Sequence, residues 1–226
     1  LLQPNQTFGS RFAGPENATV YEVGIKGNWD VAAFNLTFFT QSIKGFQSNV
    51  FNGTGFELAN AGKQTTKGFE FDGNVTPMDG LRFSVAVVYL DPIYDSFPNS
   101  VYGDISGTTP STIPALSTTL GVDYDVVLSD MLGLNLRADY HYESKVNLID
   151  DNPADPTSPN FTREINALNA SATLSYNENM KFTIWGRNLT NAKYLTTAFP
   201  AVGQAGSFSG YPNQPRTYGV TARYKF

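Results

Sequence analysis

The 226-residue chain carries 15 Lys and Arg against 20 Asp and Glu, a net charge of −5, without the basic clustering that a nucleic-acid footprint needs. Cysteine is absent, which excludes a disulfide framework and a thiolate metal site, and no run of about 18 apolar residues offers a membrane-crossing helix. Aromatics at 14% and charged residues at only 15%, with 12 Tyr, 17 Phe and 20 Gly, give a β composition.

The opening stretch, LLQPNQTFGSRFAGP, lacks the basic-then-apolar order of a signal peptide. For an exported protein this implies that the chain does not begin where its gene product begins. Downstream, period-two alternation predicts nine strands, near 18–28, 31–46, 64–76, 80–91, 115–126, 132–147, 164–176, 180–190 and 216–226. The first two carry the apolar sets Tyr21, Val23, Ile25 and Phe34, Leu36, Phe38. The third and fourth carry Phe69, Phe71, Val75 and Leu81, Phe83, Val85, Val87, Tyr89, and the fifth carries Leu116, Leu120, Val122 and Tyr124. The sixth is the clearest. In LGLNLRADYHY, residues 132–142, even positions read Leu, Leu, Leu, Ala, Tyr, Tyr and odd positions read Gly, Asn, Arg, Asp, His. A period of 3.6 would mix those sets. The last three strands continue the pattern with Leu168, Ala170, Ala172, Leu174, Tyr176, then Phe182 and Ile184, then Tyr218, Val220, Ala222, Tyr224 and Phe226.

The connections alternate strictly. Short ones fall at 28–30, 76–80, 127–131 and 177–179, and long ones at 47–63, 92–114, 148–163 and 191–215. A soluble sandwich has no physical reason to keep its long loops at one end, whereas an outer-membrane barrel has short periplasmic turns and long external loops. The strands exceed the usual five or six residues and match the nine to eleven that a tilted strand needs to cross a bilayer. With residue 226 at the periplasmic end, Trp29, Tyr124, Tyr176, Tyr224 and Phe226 form a lower girdle, and Tyr21, Tyr89, Tyr140, Tyr142 and Tyr218 an upper one. The expectation is an all-β, transmembrane, antiparallel up-and-down β-barrel, with its apolar side in outer-membrane lipid and its polar side lining a lumen.

YEVGIKGN (21–28), KGFEFDGN (67–74), GRNLTNAKY (186–194) and PRTYGVTARYKF (215–226) resemble the C-terminal barrel strands of TonB-dependent outer-membrane receptors. The resemblance runs from about residue 16 to the end and is most specific at GRNLTNAKY. It implies a 22-stranded barrel with a plugged lumen, of which this chain supplies about nine strands. The missing N-terminal strands, the plug and, through the plug, TonB are then the implied partners. The resemblance also implies active uptake of a scarce solute such as a siderophore or sugar, a periplasmic C-terminus, and a barrel-assembly signal at Tyr224 and Phe226. Neither catalysis nor a cofactor is part of it.

The alternation turns Glu70, Asp72, Arg82, Asp123, Asp125, Arg137, Asp139, His141, Glu143, Arg187, Arg223 and Lys225 toward the lumen. They line the solute path and meet the plug, or they form the paired, solvated interior that any polar-lined barrel needs. Arg137, Asp139, His141 and Glu143 share one strand face, but neighbours two apart lie nearly 7 Å from each other, and a lone His makes a poor metal site. The long loops hold Phe51, Phe56, Tyr94, Phe97, Tyr102, Phe161, Phe199, Phe208 and Tyr211 beside Asn and Gln. These are candidate solute contacts, because binding concentrates on loops. Packing of the loops on one another, or against a lid such as a surface lipoprotein, is the open alternative. Asp150, Asp151 and Asp155 offer oxygen ligands for Ca²⁺ but lack the EF-hand spacing, and a solvated acidic loop is the favoured reading. The Asn-x-Ser/Thr triplets at Asn5, Asn17, Asn35, Asn52, Asn160 and Asn188 are read as chance, without glycosylation. A passive porin and a soluble β protein are the competing functional readings.

Overall fold

The computed structural model describes residues 13–51, 56–60, 62–98, 100, 103–149, 161–177, 179–201, 204 and 206–226. Nine strands form one antiparallel sheet in which every strand pairs with its neighbours in the chain-order meander. They are β1 (Asn17–Trp29), β2 (Ala32–Lys44), β5 (Lys63–Met78), β6 (Leu81–Ser96), β7 (Leu116–Ser129), β8 (Leu132–Asn147), β9 (Thr162–Tyr176), β10 (Met180–Arg187) and β13 (Thr217–Tyr224). Two further hairpins lie within the long loops: β3 (Gln47–Phe51) with β4 (Phe56–Asn60), and β11 (Leu195–Pro200) with β12 (Phe208–Pro212). The nine expected strands are all present. The two loop hairpins are additions, and the sheet is not closed, since β1 and β13 each pair on one side only.

Side-chain parity holds across the whole sheet, because partners in register project from the same face. One unbroken row runs Val126, Leu134, Leu174, Phe182, Ala222, and another runs Leu81, Tyr124, Leu136, Ala172, Ile184, Val220. These side chains have no protein layer over them: Val23, Ile25, Phe83, Leu120, Leu136, Ile184, Tyr218 and Val220 are all exposed. A soluble sandwich would bury this face against a second sheet. Among the described residues the buried apolar clusters sit at the long-loop end.

The long strands follow from that environment. Sixteen residues in β8 span about 50 Å at the usual strand rise, enough for a strand tilted across a bilayer to emerge on both sides. The short turns at 30–31, 79–80 and 130–131 and the short β9–β10 connection gather at one end. Gly80 is required in one of them: its φ is 77°, and a Cβ there would lie 2.2 Å from the Asp125 carbonyl oxygen. Trp29, Tyr124, Tyr176 and Tyr224 lie beside these turns, while Tyr21, Tyr89, Tyr140 and Tyr142 lie nearer the long loops.

Two strand limits differ from the sequence expectation for identifiable reasons. β6 runs through Pro92 to Ser96 because its registered pairing with β7 ends at Tyr89, leaving a local edge where a missing N–H removes no ladder bond. β10 stops at Arg187 because Asn188 turns to φ 50°.

Candidate functional site

The second face of the sheet carries most of the strand charges. Register places Arg82, Asp123 and Arg137 in one row, Asp139 with Asn169 in the next, and Asp72 with His141 in the one beyond. Short polar side chains knit these rows together. Asn135 Nδ2 donates to both Asp123 Oδ1 (2.9 Å) and Asp125 Oδ1 (3.0 Å), and Arg137 approaches Asp123 at 4.0 Å. Asn169 Nδ2 donates to Asp139 at 2.7 Å, and Asn35 Nδ2 to Asp72 at 3.3 Å. His141 lies 3.2 Å from Glu143 through Nε2 and 3.0 Å from the Thr119 hydroxyl through Nδ1. Glu143 also accepts from Arg163 at 2.8 Å, and Arg163 reaches on to the Thr196 carbonyl at 3.3 Å, tying β8 to the loop above.

Sequence alternation alone misses three features of this face. Trp185 shares it, lying over Gly219 so closely that a Cβ there would be 2.6 Å from the indole ring. Its Nε1–H donates to the Thr221 hydroxyl at 3.2 Å, and the Arg187 guanidinium stacks 5.5 Å from the ring centroid. The signal was available, since Phe182 and Ile184 fix the opposite parity for Trp185. The second is Arg163, which follows a register shift between Glu143 and Val146. The third is Asn188, whose amide bridges the long loop by donating to the Ala192 and Gln214 carbonyls and accepting from the Ala192 N–H and the Thr190 hydroxyl.

At the loop end the candidate solute contacts separate. Tyr94 (4% exposed) and Phe97 (1%) are buried with Ile105, with the half-buried Phe46 packed against them, so their rings build the loop. A short hydrogen-bond chain supports that cluster: Phe97 N donates to Ser106 Oγ, and Ser106 N to Asp104 Oδ1. The Ser106 hydroxyl and N–H together hold the Asp104 carboxyl below its ordinary value. Phe161 packs on the second cluster, of Val146, Leu148 and Ala198, and meets Phe208 with ring centroids 5.1 Å apart. Phe199 meets Tyr211 at 5.8 Å, and Tyr211 is 62% exposed. Phe51 and Phe56 stand opposite each other in the β3–β4 pairing. Tyr102, Asp150, Asp151, Asp155 and the triplet asparagines Asn5, Asn52 and Asn160 lie outside the described residues.

A family model described as "TonB dependent receptor-like, beta-barrel" matches residues 3–189. The chain belongs to this family. The TonB-dependent receptor-like barrels are outer-membrane receptors, so the apolar face meets lipid and the polar face lines the lumen. The match ends inside GRNLTNAKY, the stretch on which the sequence resemblance is most specific.

Solved structures of the same architecture extend the likeness to the last strand. The ferric yersiniabactin uptake receptor FyuA from Yersinia pestis is 18% identical with a TM-score of 0.73, covering 93% of this chain and 30% of its own. The ferric-catecholate import receptor Fiu from E. coli K12 is 19% identical with a TM-score of 0.68, covering 100% and 30%. The copper transporter OprC is 15% identical with a TM-score of 0.70, covering 99% and 33%. The chain thus spans about a third of the receptors it matches. The family is one of transporters and receptors.

Proposed function

We propose that this chain forms the barrel wall and outward loops of a receptor that takes up a scarce solute across the outer membrane, driven by TonB through a plug. One observation carries the reading: a sheet with a bare apolar face, a hydrogen-bonded polar face and its long loops at one end. The short turns then face the periplasm, and Tyr224 and Phe226, edge to face at 4.9 Å, take the assembly role that the resemblance implies. Family membership and the similar structures support uptake as the activity. Those structures are described by different cargoes, ferric yersiniabactin, a ferric catecholate and copper, on one fold. Fold alone therefore does not select the solute. Within the loops, the exposed Tyr211 beside Phe199 and the Phe161–Phe208 pair are our assignment for solute contact. The test is uptake of labelled ferric siderophores and oligosaccharides by cells carrying the full receptor, with and without TonB. Uptake that disappears without TonB supports the proposal. Uptake that persists without TonB, together with steady conductance in planar bilayers, establishes the passive porin instead.

A further inference from the structure

The lipid-facing side is not apolar along its whole height. Register is unbroken from β1 through β2 into β5, so parity is fixed as far as the long-loop ends of those strands. The row Val23, Phe38, Phe69, Tyr89 crosses four strands, and the Phe69 ring lies 6.0 Å from that of Phe38 and 5.7 Å from that of Tyr89. On the long-loop side of this row the same face turns polar. The next row sets Thr40, Lys67 and Asp91 beside Tyr21, the one after it Ser42 and Thr65 beside Thr19, and the last Lys44 and Lys63 beside Asn17. Asp95 holds Lys63 at 3.3 Å and accepts from the Thr65 hydroxyl, so it belongs to the same field. Lys44 and Lys67 are exposed, and among the described residues neither is in an ion pair. Both β2 and β5 are paired on each side, so no missing strand stands beside the three lysines.

A charge on the outward face of a barrel is costly at the middle of the bilayer and tolerated near its interfaces. These rows therefore stand at headgroup height, and the aromatic row below them reaches the acyl chains. Three lysines against two aspartates leave the field net cationic, and the Thr19 and Thr40 hydroxyls lie between its charged ends. Lys63 and Lys67 are about 13 Å apart along β5 at the usual strand rise. A phospholipid brings one anionic point and meets one end of the field. A sugar carrying two phosphates meets both ends and the hydroxyls between. We propose that this field binds the headgroup of a phosphorylated glycolipid of the outer leaflet. One phosphate accepts from Lys67 and another from Lys44 and Lys63, the sugar lies over Thr40, and the acyl chains run along Phe38, Phe69 and Tyr89. The inference rests on the external placement of the long loops and is independent of TonB-driven uptake.

The full receptor in neutral detergent is titrated with lipid A, an acylated glucosamine disaccharide bearing two phosphates, with its dephosphorylated form, and with phosphatidylglycerol. Native mass spectrometry counts the lipid bound. The expected result is several-fold tighter binding of the bisphosphorylated lipid than of the other two. The Lys44→Gln/Lys63→Gln/Lys67→Gln variant should lose that preference. A Lys26→Gln/Lys181→Gln variant, changed on the lumen face, should keep it, with the barrel heat-modifiable in both. Equal affinity for phosphatidylglycerol, a preference that survives the triple substitution, or one lost equally in the lumen-face variant overturns the proposal. Where the triple variant does not fold, Lys67→Gln alone is read in its place: several-fold weaker binding supports the site, and unchanged binding overturns it. Long loops that a membrane-impermeant label fails to reach on intact cells remove the external placement, and the glycolipid site with it. Uptake that persists without TonB removes only the function proposed above.

Discussion

Asn188 sits at φ 50°, buried, with both ends of its amide engaged, so two separate demands fall on one residue. A small polar side chain tolerates the left-handed region, and only an amide satisfies two carbonyls and an N–H from one site. Asn188→Ala loses both, and about 3 kcal/mol of stability is the expected cost, mostly from loop groups left unpaired. Asn188→Gly relieves the backbone and should recover about 1 kcal/mol of that loss. Denaturant midpoints of the receptor refolded in micelles separate the two. Phe97 illustrates a different role at the same scale. At 1% exposure it anchors the loop that follows β6, against Tyr94 and Ile105. Phe97→Ala should open that loop locally, by about 3 kcal/mol, while leaving the strands intact. Protease digestion of whole cells reads this as new cleavage within 97–115 with the barrel still heat-modifiable. Restored protection in Phe97→Leu would follow if volume, and not ring chemistry, is what the loop needs.

For the strands, the alternation decides which solvent each side chain meets, and neighbours on one strand should therefore respond oppositely to the same change. Val87 lies in the apolar row with Phe71, and Ala86 lies beside Asp72 on the polar face. Val87→Arg near the middle of β6 should cost about 2–4 kcal/mol in a bilayer, and Ala86→Arg close to nothing. Refolding equilibria in lipid vesicles measure the difference, and equal costs at the two positions would refute the lipid assignment. This contrast also explains what was legible beforehand. Parity in 132–142 and 216–226 survives substitution of one apolar residue for another, so nine strands and their faces could be read without coordinates. The loop hairpins could not be read as easily. The short stretches of the first, QSNVF and FELAN, carry no clean alternation, and the turn signal between them rests on Asn52-Gly53 and Gly55. Nor does composition say which loop aromatics bury: Tyr94 and Tyr211 look alike in sequence, and only the first lies under another loop segment. Arg163 escaped because the register shift before it depends on tertiary pairing, which local pattern does not encode.

At the scale of the molecule, the sheet has two kinds of uncovered surface, open strand edges that hydrocarbon does not tolerate and a bare apolar face that water does not. Among the described residues, β1 and β13 each leave one row of backbone N–H and C=O groups without a strand partner, and the face with Val23, Ile25, Phe83, Ile184 and Val220 is exposed. In hydrocarbon each unpaired backbone group costs several kcal/mol, so closure of the barrel by further strands is a condition for membrane insertion. Out of the membrane, the same edges and face promote association between copies. Residues 1–226 produced alone should therefore form oligomers or aggregates in detergent-free buffer. In detergent the face is covered but the edges are not, so edge-to-edge association should persist. Supplying the remaining strands of the receptor should abolish it. Size-exclusion chromatography with light scattering distinguishes these three conditions. A monodisperse monomer without detergent would mean that the apolar rows are covered by the chain itself, and the lipid-facing assignment could not stand.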